Sequence, residues 1–278
     1  MALLDRAIVR LLPAVPKPIV QRLSSRYIAG ATLDDAVRVV KRLNAEGKLA
    51  TVDVLGEEVA TPDEARAIAG QYHDVLARID EERLDANVSV KLTGLGLEVD
   101  HDLCRENLEA VVANAAARGS FVRIDMEDSS TTDRTLELHR ELRAHGHANV
   151  GVVLQAYLRR TMGDLPGLEN VRLCKGIYVE PVEIAFREYD AVRASYVRAL
   201  ETLVAQGTYV GIATHDEYLI GEALRIVDGL APDRYEFQML LGVRPGRGDE
   251  LVAAGHRLRV YVPYGTHWYE YSLRRLQE

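Results

Sequence analysis

Eight short apolar runs rich in β-branched residues recur along the chain, and a stretch with helical periodicity separates most of them from the next. These runs predict strands at Ala50–Val54, Val88–Leu92, Phe121–Met126, Val150–Gln155, Val171–Lys175, Tyr209–Ala213, Tyr235–Met239 and Leu258–Pro263. Strands that alternate with helices over this length favour a closed barrel over a doubly wound sheet. The glycine fingerprint of a Rossmann domain is also missing, because Gly94 and Gly96 follow a strand without the third glycine. The expected fold class is therefore α/β, a (β/α)8 TIM-type barrel.

Helix start signals lie between several of these runs. They are Thr32 with Asp35, the capping box Thr61-Pro62-Asp63-Glu64, and Glu180-Pro181. The first helix should stop near Gly47, and the third should run from its proline toward Gly207. No linker or low-complexity segment divides the chain. We expect an N-terminal helical extension over residues 1–47 and one barrel catalytic domain over residues 48–278.

The amino-acid composition indicates which classes of partner are excluded and which cellular compartment the protein occupies. A formal net charge of −8 and the absence of long basic runs argue against a nucleic-acid partner. Two cysteines, Cys104 and Cys174, are too few for a disulfide framework or a zinc cluster, which suits a reducing cytoplasm. The apolar stretch from Ala2 to Val15 is interrupted by charged residues and a proline, so it resembles neither a secretory signal nor a membrane span. We expect a cytoplasmic protein in which this stretch folds back onto the domain, with peripheral contact at the inner face of the cell membrane as the alternative.

The last residues of the chain place anion-binding groups on one face of a predicted helix. Tyr271, Arg274, Arg275 and Glu278 follow one another at i, i+3, i+4 and i+7. Each guanidinium offers a planar fork of donors that matches a carboxylate or a phosphate. A phenol beside two guanidiniums and a carboxylate therefore suits anion binding better than a core position. The alternative is a solvated, positively charged helix that complements its own dipole.

Charged and hydrogen-bonding residues gather where the predicted strands end, which is the face on which barrel enzymes carry their active sites. They are Asp53, Glu57, Lys91, Asp125, Glu127, Asp128, Gln155, Tyr157, Arg172, Lys175, Tyr178, Thr214, His215, Asp216, Gln238 and Tyr261. Burying such groups unpaired would cost several kcal/mol in total, on the order of 2 or more for each. We therefore expect them to pair with one another or with a ligand, and the lysines and arginines among them predict a negatively charged ligand.

A metal site is the weaker interpretation of the acidic residues in this set. Asp125, Glu127 and Asp128 lie close together in sequence, but neighbouring residues of a strand point to opposite faces. The chain also lacks a histidine motif that could complete the coordination. We predict no metal. Cys174 has no histidine beside it in sequence and is expected to pack as an apolar residue.

Taken in order, a set of motifs resembles the proline dehydrogenase family, and the monofunctional bacterial type most closely. The motifs are DVLGE (Asp53–Glu57), VKLTGLG (Val90–Gly96), RIDMED (Arg123–Asp128), LQAY (Leu154–Tyr157), VRLCKGIYVEP (Val171–Pro181), IATHD (Ile212–Asp216) and YVPYG followed by YSLRRLQE. The resemblance implies a distorted barrel that holds FAD noncovalently and oxidises L-proline to Δ1-pyrroline-5-carboxylate. It further implies that electrons pass from the flavin to a membrane quinone, in the first step of proline catabolism.

The same resemblance implies roles for individual residues. It implies a catalytic set of Arg172, Asp125 and Tyr261, in which Arg172 lies beside the flavin N5 region. It implies a substrate-binding set of Lys91, Arg274, Arg275, Tyr271, Tyr178, Leu240 and Glu57, in which the cationic residues hold the proline carboxylate and Glu57 closes over the substrate. It implies a cofactor-binding set of Gln155, Arg172, Lys175, Gly176, Thr214, His215, Gln238, Glu278 and Met126.

Two other functions remain open on the sequence. One is a Schiff-base aldolase on the same barrel, in which Lys175 or Lys91 forms an imine and the arginine pair binds a phosphate. The other is a non-catalytic, carboxylate-binding barrel that has lost its flavin, since a fold does not guarantee a function.

Overall fold

Eight parallel strands close into a barrel in a computed structural model that describes residues 26–57, 59–268 and 271. The strands are β1 (Leu49–Val54), β2 (Ala86–Val90), β3 (Val122–Ile124), β4 (Val150–Gln155), β5 (Asn170–Cys174), β6 (Tyr209–Ala213), β7 (Tyr235–Leu240) and β8 (Leu258–Tyr264). Each strand pairs with its neighbours in chain order, and β1 pairs with both β2 and β8, which closes the sheet. The predicted (β/α)8 barrel is confirmed.

Helices follow the strands along the described chain. They are α1 (Leu33–Ala45), α2 (Pro62–Glu81), α3 (His101–Ala117), α4 (Thr132–Ala144), the single turn α5 (Thr161–Asp164), α6 (Tyr189–Ala205), α7 (Glu217–Ile226) and α8 (Pro245–Ala253), with a 3-10 turn at Pro232–Arg234. Two of the predicted starts are confirmed, because Thr32 and Thr61 each form a complete capping box, the second with Pro62 inside the first turn. None of these helices is both long enough and apolar enough to cross a membrane.

The helix predicted from Pro181 begins eight residues later, at Tyr189, so this prediction is wrong at its start and right at its end near Gly207. The intervening backbone bonds to the loop after β4 instead. Arg159 N donates to Ile184 O at 2.9 Å, and Phe186 N donates to Tyr157 O at 2.8 Å. Because these backbone groups have partners in another loop, they are not available for helical hydrogen bonds.

Two strands also end earlier than their apolar runs. β2 stops at Val90 because the chain then turns, with Leu95 N donating to Lys91 O at 3.2 Å. β3 stops at Ile124, although Asp125 N still donates to Val90 O at 2.8 Å. Lys91 and Asp125 therefore lie at the first positions beyond their strands, on the loop side of the barrel rim.

The strands divide their side chains between two environments. The outer face, which packs under the helices, is aliphatic and includes Val52, Val88, Val90, Val122, Ile124, Val152, Val171, Leu173, Val210 and Ile212. The interior face carries polar and charged side chains that meet across the barrel, including Asp53, Ser89, Arg123, Arg172, Glu236, Gln238 and Arg259. Strand residues alternate in direction, so Ser89, Arg172 and Gln238 each stand between apolar neighbours in sequence.

The described part of the N-terminal extension packs on the barrel. Helix α1 lies against β1 and β8, and its residues Ala36, Val40 and Leu43 join the same core as the strands. The boundary between residues 47 and 48 stays a prediction, and residues 1–25 lie outside the described part of the chain.

Candidate active site

A buried ion pair between Arg172 and Asp125 forms the centre of the site. Arg172 Nη1 donates to Asp125 Oδ1 at 2.6 Å, and the two side chains are 8% and 12% exposed. Ser89 Oγ donates to the same carboxylate oxygen at 2.6 Å and accepts from Arg172 Nη1 at 3.1 Å. Tyr261 Oη donates to the other oxygen, Asp125 Oδ2, at 2.9 Å. One carboxylate thus joins β2, β5 and β8 across the barrel interior.

Lys91 lies beside this centre, surrounded by oxygen atoms. Its Nζ is 2.9 Å from Asp53 Oδ2, 3.7 Å from Glu57 Oε1 and 3.8 Å from Asp125 Oδ2, and it donates to Tyr261 Oη at 3.1 Å. Burial alone would lower the pKa of Lys91, but these three carboxylates raise it well above its ordinary value. The amine therefore remains an ammonium over the physiological pH range.

Burial also raises the pKa values of two acidic groups around Lys91. It raises the pKa of Asp53 from 3.8 to about 6, although the ammonium of Lys91 acts in the opposite direction. It raises the pKa of Tyr261 well above its ordinary value, with the negative charge of Asp125 adding to the effect. The Tyr261 phenol therefore keeps its proton and donates a hydrogen bond to Asp125. The site therefore holds two cations, Arg172 and Lys91, the carboxylates paired with them and the Tyr261 phenol in a region that water scarcely reaches.

A second layer of polar groups lies below this centre, nearer the N-terminal ends of the strands. Arg172 Nε donates to Gln238 Oε1 at 2.5 Å, and Gln238 Nε2 donates to Glu236 Oε1 at 2.6 Å. Arg259 holds Glu236 through two hydrogen bonds of 2.6 and 3.0 Å. On another side of the interior, Arg123 Nη1 donates to the carbonyls of Val152 and Asn170, each at 3.0 Å.

The ends of β4, β5 and β6 present a different chemistry, with neutral donors and one lysine. Gln155 Nε2 donates to Glu127 O at 2.8 Å, and Thr214 Oγ1 accepts from Asp216 N at 3.1 Å. Lys175 Nζ lies 3.6 Å from Asp216 Oδ2 and over the ring of Tyr189. Gly176 follows in a left-handed conformation, with φ of 107°, where an added Cβ would collide with the Tyr157 ring.

The remaining predicted residues within the described chain lie around this rim. His215 Nε2 accepts from Leu240 N at 2.9 Å, which ties the ends of β6 and β7 together. Tyr178 and Leu240 are half-buried, and Met126 is buried in the main core. Tyr271 packs in a cluster with Leu55, Ile28 and the partly buried Tyr261. The predicted residues Arg274, Arg275 and Glu278 lie outside the described residues.

Several polar residues joined to this site are absent from the predicted set. They are Ser89, Glu236 and Arg259. Their common signal in the sequence is a polar residue between aliphatic or aromatic ones inside a strand, as in Val88-Ser89-Val90. An interior position shared by parallel strands is the physical reason for that pattern. Within residues 26–57, 59–268 and 271, no group of three or more histidine, cysteine, aspartate or glutamate side chains is arranged to hold a metal ion.

A closed barrel with buried, paired charges at the C-terminal ends of its strands defines a (β/α)8-barrel enzyme. A family model described as proline dehydrogenase matches residues 36–278. The chain is 38% identical to proline dehydrogenase 1 of Bacillus subtilis subsp. natto over 259 residues, which cover 91% of this chain and 85% of the relative. It is 36% identical to a proline dehydrogenase of Deinococcus radiodurans over 266 residues, which cover 92% and 86%. The chain belongs to the proline dehydrogenase family and is an enzyme.

Solved structures agree with this fold. A proline utilization A (PutA) structure from Bdellovibrio bacteriovorus superposes with a TM-score of 0.88 at 24% identity, covering 97% of this chain. One from Bradyrhizobium japonicum superposes with a TM-score of 0.79 at 21% identity, again over 97% of this chain. The chain spans 36% and 33% of the lengths of those two proteins. At these identities the likeness establishes the barrel fold.

Proposed function

We propose that this protein oxidises L-proline to Δ1-pyrroline-5-carboxylate with a noncovalently held FAD and passes the electrons to a membrane quinone, as the first step of proline catabolism. The observation that carries the proposal is the buried centre in which Arg172 and Tyr261 both donate to Asp125 beside the ammonium of Lys91. The family membership supports proline as the substrate.

The substrate carboxylate would bind to Lys91 together with Arg274 and Arg275. The high pKa of Lys91 supports this role, because the amine stays charged and can hold an anion. Tyr261, Tyr178, Tyr271 and Leu240 would line the pyrrolidine ring. Tyr261 supports this role because it lies against the Tyr271 cluster while its hydroxyl is held by Asp125. Glu57, with its carboxylate 3.7 Å from Lys91 Nζ, would close over the bound substrate.

The donor set at the ends of β4 to β6 fits an anionic dinucleotide such as FAD. Lys175 supplies positive charge at a half-exposed position, and the left-handed Gly176 brings backbone close to the rim. We propose that Gln155, Thr214, His215, Gln238, Met126 and Glu278 complete the cofactor site. When bound, FAD supplies the hydride acceptor that the protein's own side chains lack.

The chain's own residues would fix geometry and charge. Oxidation removes a hydride from Cδ, the ring carbon that is attached to nitrogen and does not carry the carboxylate, and a proton from that nitrogen. A carboxylate held at two or more cationic groups fixes the ring in one orientation, and orientation at near-contact distance accounts for a large part of the rate. Aromatic and apolar walls exclude water and favour the uncharged amine that can lose a hydride. Arg172 would stabilise negative charge that develops on the reduced cofactor.

The aldolase alternative receives less support from this geometry. A lysine that forms an imine must reach its neutral form, which enzymes achieve by lowering its pKa. Three carboxylates raise the pKa of Lys91 instead. Lys175 is paired with Asp216. Borohydride reduction in the presence of a keto substrate would trap an imine on either lysine if the aldolase alternative were correct.

We place the protein in the cytoplasm, with peripheral contact at the inner face of the cell membrane where it would reach the quinone. Sedimentation with quinone-containing vesicles, measured with and without proline, tests this part of the proposal. Protein that stays in the supernatant and passes no electrons to vesicle quinone would contradict it.

An anaerobic visible absorption spectrum of the purified protein, recorded before and after adding L-proline, tests the reaction. The expected result is a flavin spectrum that bleaches when proline is added. A flavin spectrum that proline leaves unchanged would overturn the substrate. A colourless protein that stays colourless after incubation with FAD would overturn the cofactor, and proline binding by such a protein would favour the carboxylate-binding barrel.

A further inference from the structure

A row of buried polar groups leads from Arg172 down the barrel interior. Gln238 accepts from Arg172 Nε through Oε1 and donates to Glu236 through Nε2, at 2.5 and 2.6 Å. Arg259 donates to both carboxylate oxygens of Glu236, from Nε to Oε1 and from Nη2 to Oε2. Glu236 is 2% exposed, and it precedes Gln238 on β7, so it lies farther from the rim. A carboxylate remote from the substrate is therefore connected to Arg172 through a single amide.

The groups at the two ends determine how the Gln238 amide is turned. A carboxylate only accepts hydrogen bonds, and a guanidinium only donates them. Gln238 must therefore direct its NH2 at Glu236 and its carbonyl at Arg172. A neutral amide at position 236 could donate as well as accept, so it would permit the opposite orientation. In that orientation the NH2 of Gln238 would face the N–H of Arg172, and the hydrogen bond would be lost.

The fold provides space for this connection at Gly211. The register pairs Gly211 with Arg172 on one side and with Glu236 on the other. A Cβ at position 211 would collide with the Gln238 amide nitrogen. The Gln238 side chain can lie across β6 only because this residue has no side chain.

Stability alone is a poor explanation for a carboxylate at this depth. Charge burial is costly, and replacing a buried ion pair by apolar residues is often neutral or stabilising. Burial opposes ionisation of Glu236, yet the contact with Arg259 holds its pKa below the ordinary value. The interior thus keeps an ionised acid where aliphatic side chains would fill the space at lower cost.

We propose that Glu236 is a positioning residue for the oxidation reaction, and that it acts by orienting Gln238 so that Arg172 is held in one place beside Asp125. This proposal rests on the proposed function, in which Arg172 stabilises the reduced cofactor. Arg259 balances the charge of Glu236. The rim residues then receive their geometry from a layer that never contacts substrate.

The flavin reduction potential of a Glu236→Gln variant distinguishes positioning from simple electrostatics. Removing a negative charge would by itself favour the reduced, more negative flavin and raise the potential. Displacement of the Arg172 guanidinium would remove positive charge from beside the flavin and lower the potential. We expect a roughly tenfold weaker preference for the reduced state, about 30 mV lower for a two-electron couple. We also expect kcat to fall roughly tenfold or more, with KM for proline changed less than threefold, because misplacement of this size carries such costs. A potential that rises or stays constant would overturn the proposal.

A Gly211→Ala variant moves Gln238 without changing any charge, and it should lower both kcat and potential in the same direction. If Glu236→Gln fails to fold, this variant carries the test alone. Asp249→Asn is the matched control, since Asp249 pairs with the buried Lys48 outside the barrel interior. It should change neither quantity. In a Gln238→Ala background, Glu236→Gln should have little further effect on kcat, and a full additional loss would contradict the proposal.

Crystal structures of the wild-type and Glu236→Gln proteins supply a readout that requires neither flavin nor proline. The expected difference is a turned Gln238 amide and a lost or lengthened contact to Arg172 Nε. An unchanged Arg172 in the variant would overturn the proposal. If the wild-type protein binds no flavin, the proposed function fails, and these structures still decide whether Glu236 positions Arg172.

Discussion

The interior and the outer face of the barrel are built from the same eight strands but are held together by different forces. The outer face is aliphatic, and its residues can exchange partners at modest cost because hydrophobic contacts have little directionality. The interior is an ordered array of donors and acceptors, in which Asp125 alone bonds to Ser89, Arg172 and Tyr261. Because side chains alternate along each strand, the residues that stabilise the fold lie on one face and those that carry the chemistry lie on the other. Substitutions in the interior should therefore mainly lower activity, and substitutions on the outer face should mainly lower stability.

The largest effect should come from breaking the interior at Asp125. Asp125→Asn keeps the shape but removes the charge opposite Arg172, so we expect activity to fall roughly 100-fold or more as the rim loses its alignment. Steady-state kinetics with proline, at equal concentrations of folded protein, measure this. Asp128→Asn is the control, because Asp128 is exposed and bonds to Ser130. If Asp128→Asn lost as much activity as Asp125→Asn, the special role of the interior carboxylate would be contradicted.

The matching change on the outer face is Ile212→Ala. Ile212 is fully buried between strands and helices, so the cavity should lower the free energy of unfolding by about 2–5 kcal/mol. Ile212→Val should cost about 1 kcal/mol. Urea unfolding measures both, and KM for proline should stay the same. A changed KM in a variant that remains folded would show that the two faces are coupled.

The stability contributions of a histidine in the helix layer and of an aspartate in the barrel interior should change in opposite directions as the pH falls. Burial of His139, on helix α4, lowers its pKa from 6.5 to about 4. Its contribution to stability is therefore complete above pH 6.5 and is lost as the pH falls toward 4, by about 3 kcal/mol in all. Asp53 has a raised pKa of about 6, so its contribution is greatest below pH 4 and is lost as the pH rises through 6.

The contribution of His139 is tested by measuring unfolding free energies from pH 7 to pH 4 for the wild-type protein and for His139→Gln. The wild-type protein should lose more stability on acidification than the variant does. Parallel pH profiles for the two proteins would show that His139 does not titrate in this range.

The smallest effect should follow removal of a helix cap far from the site. Thr61 Oγ1 accepts from Glu64 N at the start of α2, and Thr61→Ala should cost about 1 kcal/mol of stability. Thr61→Ser keeps the acceptor and should cost much less. Thermal unfolding separates the two variants. Altered proline oxidation in either one would be unexpected, since Thr61 is exposed and lies outside the described network.

Prediction from sequence succeeded where the signal was local. The eight strands and the caps at Thr32 and Thr61 follow from periodicity and from contacts within four residues. The helix start at Pro181 was wrong because its local signal competes with hydrogen bonds to the loop after β4, more than twenty residues away in sequence. Lys91, Asp125, Arg172 and Tyr261 were expected at one rim because they lie where predicted strands end, and the structure places them in contact. Their individual roles came from the family resemblance. Their assigned functions remain predictions.

Local periodicity and the order of motifs along the chain are enough to predict the barrel, the family and the types of charged residue at the rim. Which partners those residues take depends on the tertiary fold. Ser89 and Glu236 look like isolated polar residues in apolar strands, yet they meet Arg172 directly or through Gln238 once the barrel closes. Such contacts join strands that are distant in the chain, and a hydrogen bond depends on distance and angle in three dimensions. Local sequence patterns therefore cannot predict which of these side chains meet.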